Sequence, residues 1–420
     1  MNVLRGRLKS RWRHIAIFLS IMGPGIITAN VDNDAGGITT YSVAGAHFGT
    51  SLLWAFIPII FVLYVIQEMA SRMAVVTGKG LADLIREEFG VKVTFYAMAV
   101  LVLANFGNVM AEFSGIAASA DLFGMSRFLL VLFCAVFIWW LVVKGNYKSV
   151  EKVFLFACVF YVSYIFSGFI TKPDWKFIAA QTLRPTFSWD HAYLVMLIGV
   201  IGTTIAPWMQ FYQQASVVEK GIKMKDYAYH RLDIIVGSFV VNIVAFFIVV
   251  VCAQTLFRHG VRIETAKDAA LALKPLAGNY CFLLFAFGLF NASLFAASIL
   301  PLSTSYTVCE GMGWELGVDK TFKDAPQFYT LYTAIIVLGA AFVLIPRIPL
   351  VKIMLFSQVA NGILLPFVLI LMLRLINNKR LMGIHVNRPI YNVLVWATVI
   401  VMVVLSAMLL VLAQKSLCWR

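Results

Sequence analysis

Charge is scarce in this chain. Only 13% of its 420 residues are Asp, Glu, Lys or Arg, while 61% are hydrophobic. A soluble domain carries roughly 25% charged and about 45–50% apolar residues. No fold in water could bury that much apolar surface, so lipid must be part of the solvent. Acidic residues are scarcer still, 20 against 34 Lys and Arg, for a net charge of +14. That excess does not imply nucleic acid, because the basic residues sit in short clusters between apolar runs, with no stripe of interleaved aromatics. Cysteine motifs are missing too. Cys134, Cys158, Cys252, Cys281 and Cys309 fall in or beside apolar runs and Cys418 lies in the tail. No CxxC pair or metal-ligand spacing joins them, which leaves small buried hydrophobes. No nucleophile–base pair, metal triad or phosphate loop speaks for an enzyme or a resident cofactor, and no soluble domain speaks for a receptor or a protein partner. The first apolar stretch lacks a small-residue cleavage site and runs on into polar residues, so it reads as a retained helix rather than a signal peptide.

What is present is a series of apolar runs. A helix crossing a bilayer needs roughly 20 apolar residues, and eleven candidates lie near 15–47, 52–76, 93–120, 127–143, 150–171, 192–218, 229–256, 279–308, 328–345, 349–376 and 390–413. The segment 80–89 is too polar to span and reads as a short surface helix. The expected class is an all-α polytopic membrane protein forming one transport domain over residues 1–420. With the N-terminus inside, the cytoplasmic segments hold 22 of the 34 Lys and Arg and the outer ones 12. That bias places the N-terminus in the cytoplasm and, with an odd number of spans, the C-terminus outside.

Two spans are interrupted. Span one runs Gly23-Pro24-Gly25 to Asp34-Ala35-Gly36-Gly37, polar and glycine-rich at mid-membrane depth, and span six carries Thr203, Thr204 and Pro207. Irregular backbone at that depth is tolerated only where it lines a cavity or is buried in protein. Breaks five helices apart are the pattern of an inverted repeat with a central site: spans one to five (about 15–171) against six to ten (about 192–376), with span eleven (about 390–413) added.

Asp34 is the leading candidate, because a carboxylate at the bilayer centre costs about 2.5–3.5 kcal/mol on insertion scales and is functional by default. No Lys or Arg lies within 19 residues of it in sequence. Gly36 and Gly37 beside it are where the chain is expected to unwind and free carbonyl oxygens. Asp32 and Asn33 extend the cluster. Asp32 reads either as a carboxylate behind the ligands or as a charge at the pore mouth. Glu112 in span three is structural or lines the path. Thr203 and Thr204 offer hydroxyls, and Pro207 removes a backbone donor. Gln358 is either a helix clamp or a contact to ligand-bound water, the latter favoured. Asp233 is expected to pair with His230-Arg231.

These residues resemble the NRAMP divalent-metal transporters over almost the whole length. Gly23-Pro24-Gly25, Asp34 nine residues later, and Ala44-Gly45-Ala46-His47-Phe48-Gly49 match that family's first helix. Ser357-Gln358 through Asn377-Asn378-Lys379-Arg380-Leu381-Met382-Gly383 match its tenth helix and following loop. The resemblance implies a LeuT-like fold of eleven helices, with a metal ion between helices one and six among Val31, Asp34, Gly37, Thr203, Ala206 and Gln358. Asp32, Asn33, Glu112, Thr204 and Trp208 would lie along its path.

The departures are as informative. The family's Asp-Pro-Gly-Asn stands here as Asp34-Ala35-Gly36-Gly37, and its Met-Pro-His as Ala206-Pro207-Trp208. The thioether for soft metals and the asparagine ligand are absent, and the acids and histidines of the family's proton route align with Val102, Val109, Trp208 and Gln213. Oxygen and water ligands suit Mg²⁺, which keeps several waters and binds through one or two carboxylates. The pattern is most similar to the NRAMP-related magnesium transporters of prokaryotes. The resulting expectation is a passive carrier in the cell membrane, favouring hydrated Mg²⁺ and admitting Mn²⁺, without proton coupling. The alternative is a proton-coupled Mn²⁺/Fe²⁺ importer of the ordinary family type. A sodium-coupled carrier of organic solutes is disfavoured, since Asp34 would repel a substrate carboxylate.

Overall fold

The computed structural model describes residues 31–144, 162–318 and 320–418, with side chains through residue 411. The Gly23-Pro24-Gly25 motif, the start of span one, the first part of span five with Cys158, and the Cys418 side chain lie outside the described residues.

Helices account for every candidate span that is described. α1 is Ala35–Phe48, α2 Phe56–Thr77, α3 Leu81–Phe123, α4 Arg127–Val143, α5 Val162–Ile170 and α6 Trp175–Leu183; α7 is His191–Thr204, α8 Pro207–Glu219 and α9 Tyr227–Thr255; α10 is Ala266–Ala270, α11 Cys281–Met312, α12 Pro326–Val343, α13 Leu350–Ile376 and α14 Pro389–Cys418. Among the described residues eight helical stretches are long and apolar enough to cross a membrane, and α4 is an apolar helix just short of that length. Spans one and five of the expected eleven are described only in part. Side chains such as Leu103, Leu129 and Val136 stand out from the fold, 72%, 71% and 66% exposed. On transmembrane helices this is the lipid face, because hydrocarbon imposes no penalty on them.

The short polar helix expected at 80–89 is there, continuous with span three but set off by Gly90, whose φ of 79° no β-carbon residue adopts readily. Cys134, Cys252, Cys281 and Cys309 are buried and unbridged, as their setting implied.

Two contacts fix the layout around the centre. α7 and α13 cross backbone to backbone. A methyl group on Gly202 would overlap the Gln358 carbonyl and the Gly362 backbone, and one on Gly362 would lie 2.5 Å from the Ile198 carbonyl oxygen. At the end of α2, Arg72 donates to the carbonyls of His385 and Val386 (2.9 and 3.0 Å) and to Glu68 (3.1 Å). Tyr227 of α9 donates to the same Glu68 at 2.6 Å. The connector before α14 is thereby tied to α2 and α9 by a buried guanidinium.

Candidate metal-ion site

The break in span one lies three residues earlier than the glycine pair suggested. Val31 and Asp32 are helical, Asn33 and Asp34 are not, and Gly36 and Gly37 already belong to α1. The glycines serve close packing instead. Gly36 lies flat against the Gln358 amide, leaving no room for a side chain. Asp34 unwinds the chain by capping α1. Its backbone is extended (ψ −173°) and its Oδ1 accepts the Gly37 N–H at 2.6 Å. A side-chain acceptor there satisfies a helix-end donor, and the helix N-terminus favours its negative charge.

Glu112 of α3 does the same from outside, its Oε2 accepting the Ala35 N–H at 3.2 Å while its carboxyl lies beside that of Asp34. These donors would otherwise bond back four residues. The Val31 carbonyl, which the Ala35 N–H would have met, therefore loses its helical donor to Glu112.

Span six is broken in a matching way. α7 ends at Thr204, Ala206 is extended (φ −70°, ψ 139°), and Pro207 opens α8. Proline is favoured at that first position because its missing N–H is not needed there. With no donor on Pro207, the Thr203 carbonyl also lacks its helical partner. The Thr204 hydroxyl donates to the Val200 carbonyl (2.7 Å) and so accepts from Tyr41 (2.8 Å), joining the two broken spans.

The two breaks meet at Gly37. A methyl built on it would lie 2.5 Å from the Asp32 carbonyl oxygen, 3.3 Å from the Thr203 hydroxyl and 3.4 Å from Asp34 Oδ1. The spot is ringed by oxygen. It is also closed, because Asp32, Asn33, Asp34, Glu112, Thr203, Thr204, Ala206 and Trp208 are all buried, none more than 4% exposed. Among the described residues no three Asp, Glu, His or Cys side chains converge as a metal cluster.

Gln358 is held by neighbours on its own helix. Its oxygen accepts from Asn361 (2.9 Å), which exchanges two bonds with Asn108 of α3 (3.0 and 2.9 Å). This amide ladder across α3 and α13 escaped the sequence reading, although an Asn in mid-span was its signal. The neighbourhood of Gln213 was missed as well. Gln213 donates to Ser71 (2.9 Å), and His230 of α9 lies 3.4 Å from it. An imidazole thus stands beside a position of span six that lacks one. Asp233 sits 3.8 Å from His230, the pairing expected, whereas Arg231 turns away to Tyr64. Val109 packs against Gly339.

A cavity of about 580 Å³ opens between the end of α3, the residues leading into α10 and the start of α13, lined by Asp121, Arg127, Glu264 and Lys267 among others. It reaches Ala118, six residues or about 9 Å along α3 from Glu112.

Comparison with known proteins bears on this arrangement. The family profile described as natural resistance-associated macrophage protein-like (Nramp) matches residues 25–412. Relatives include the divalent metal cation transporter MntH of Clostridium acetobutylicum, 24% identical over 418 residues, spanning 97% of this chain and 94% of the relative. The transporter of the same name from Deinococcus radiodurans is 24% identical over 412 residues, 95% of this chain and 91% of the relative. In structure the chain is similar to the Eremococcus coleocola manganese transporter, with TM-score 0.74 at 21% identity over 92% of this chain and 85% of that one. It is also similar to a nucleobase-cation-symport-1 family transporter, with TM-score 0.60 at 14% identity over 95% and 92%. These likenesses give the LeuT-like fold. With the profile covering nearly its whole length, the chain belongs to the Nramp family of divalent-metal transporters, a multi-pass membrane protein and not an enzyme.

Proposed function

We propose that this transporter favours a hard, largely hydrated divalent ion, Mg²⁺ with Mn²⁺ admitted, and carries it passively by alternating access between its two broken spans. The observation that carries this reading is the oxygen ring at Gly37, formed by the Asp32 carbonyl, the Thr203 hydroxyl and the Asp34 carboxyl, with alanine rather than a thioether at 206. Such donors suit Mg²⁺ and discriminate weakly against Mn²⁺. Mg²⁺ binds through one or two carboxylates and retained water, and the freed carbonyls of Val31 and Thr203 can accept from that water. Gln358 keeps one lone pair of its oxygen for the same purpose. Asn33, Glu112, Thr204 and Trp208 line the path.

Uniport is supported by the absence of titratable side chains at Val102, Val109, Trp208 and Gln213. A divalent ion moving into a negative interior gains about 4.6 kcal/mol per 100 mV, which drives uptake unaided. In this reading the whole chain is one transport domain in a prokaryotic cell membrane, with span eleven outside the repeat, the N-terminus cytoplasmic and the C-terminus outside.

A second reading, the proton-coupled Mn²⁺/Fe²⁺ importer, is favoured by two things. The structurally similar protein from Eremococcus coleocola is a manganese transporter. His230 and Asp233, buried together beside Gln213, also supply titratable groups that span six lacks. Uptake of Mg²⁺ and Mn²⁺ into proteoliposomes containing a pH dye separates the two. Uniport gives metal entry with constant lumenal pH. Acidification that tracks metal entry and disappears in Glu112→Gln or His230→Gln selects the second.

A further inference from the structure

Asp32 stands apart from the other acids of the site. Asp34 accepts the Gly37 N–H and Glu112 the Ala35 N–H, whereas among the described residues neither carboxylate oxygen of Asp32 has a hydrogen-bond partner. The residue is 2% exposed, and no ion pair joins it to a described residue. Its electrostatic neighbours are another carboxyl, that of Asp34, and the hydroxyl of Tyr41, which is bonded to Thr204. Its place in the chain is adverse as well. Asp34 sits at the N-terminal end of α1, where the backbone dipole welcomes an anion. Asp32 lies across the break from that helix end, beside the Val31 carbonyl whose helical donor has gone to Glu112. A bare carboxylate buried in this way is costly unless a cation or a set of donors compensates it. No Lys or Arg lies within 19 residues in sequence of Asp34, and Asp32 itself makes no bond to a donor among the described residues.

We infer that Asp32 is a second carboxylate for the transported cation, so that a divalent ion with water in its shell is held between Asp32 and Asp34 and its double charge is matched by two carboxylates. The inference rests on the reading of Asp34 as the site of divalent binding and extends it to a residue with no other satisfactory partner. A water molecule on Mg²⁺ or Mn²⁺ presents hydrogens outward, the donors that Asp32 lacks. The same arrangement disfavours monovalent ions, which would leave one buried carboxylate uncompensated.

The test uses the full-length protein in detergent with Mg²⁺ and Mn²⁺ as ligands. Affinity is read by calorimetry, the bound ion by the paramagnetic resonance of Mn²⁺, and the fold by melting with and without Mg²⁺. Asp32→Asn is expected to melt like wild type without metal, lose at least tenfold in Mg²⁺ affinity, lose most of the stabilisation by Mg²⁺, and alter the Mn²⁺ signal. Unchanged affinity and signal in folded Asp32→Asn overturn the inference and make Asp32 a neutral, protonated wall residue. If Asp32→Asn does not fold, Asp32→Glu decides, because it moves the charge by one methylene. A several-fold change in affinity supports the role and an unchanged one refutes it. Asp34→Asn runs in parallel. Loss there with none at Asp32 defeats this inference alone, while wild-type binding in both variants defeats the underlying reading of the site.

Discussion

Replacing Asp34 by Asn removes one unit of charge and little else. The amide oxygen still accepts the Gly37 N–H that Asp34 Oδ1 holds at 2.6 Å, and Asn caps a helix about as well as Asp. Loss of the anion from the helix end costs roughly 0.3–1 kcal/mol, partly offset by relief of a buried charge, so the fold is expected to survive. Binding is another matter. Unit charges 4 Å apart attract by about 4 kcal/mol at an effective dielectric near 20, hence about 8 kcal/mol for a divalent ion and one carboxylate. Dehydration of the ion opposes this. Even if only a third of it is net, roughly 2.7 kcal/mol, affinity falls about a hundredfold at 1.36 kcal/mol per factor of ten. The measurement is Mg²⁺ and Mn²⁺ uptake by proteoliposomes under an imposed negative-inside potential, with melting recorded on the same preparation. We predict uptake near background in a protein that melts like wild type. Wild-type uptake at matched reconstitution would show that the ion does not depend on this carboxylate.

Three further outcomes are expected. Ala206→Met places a thioether where α8 begins and should raise Cd²⁺ over Mg²⁺ competition by about tenfold, the size of one modest ligand contribution; an unchanged Cd²⁺/Mg²⁺ ratio refutes the placement. Gly37→Asn is a poorer probe, since its β-carbon would meet the Asp32 carbonyl at 2.5 Å. Gly202→Ala forces α7 away from α13 and should lower stability by roughly 1–3 kcal/mol, the usual range for overpacking. A melting temperature equal to wild type would mean that the crossing is looser than described. Arg72→Met strands Glu68 in a buried setting, with side chains 10% and 6% exposed in the pair, and should cost about 3–5 kcal/mol. The double variant with Glu68→Gln should recover much of that loss, and its failure to do so would show that the carbonyl contacts to the connector matter more than the ion pair.

The spans were legible because a bilayer imposes a simple length and polarity rule. α4 runs Arg127–Val143 as the apolar run did, and α13 differs from its run by one residue. The breaks were legible because polar residues and proline interrupt apolar runs in few other circumstances. The mechanism of the first break was not. Glycine suggested unwinding at Gly36 and Gly37, yet the chain unwinds at Asn33 and Asp34, because carboxylates from two helices capture the N–H groups that would have continued the helix. That depends on Glu112, 77 residues away from Ala35, and no local pattern reports it. The Asn108–Asn361 pair and the approach of His230 to Gln213 were hidden for the same reason, being contacts between spans rather than within them.

The crossing of α7 and α13 holds one arm of span six backbone to backbone, while the other arm is held by side chains, Gln213 on Ser71 among them. Backbones in direct contact cannot part without opening a void, so α7 is bound to move with α13. Ala206, extended between the two halves, is the joint between them. Thr203 and Thr204 lie on the arm fixed to α13 and Trp208 on the other. In the proposed transport cycle, a rotation at this joint that breaks the Gln213–Ser71 bond would swing a bulky indole while leaving the threonines where they are.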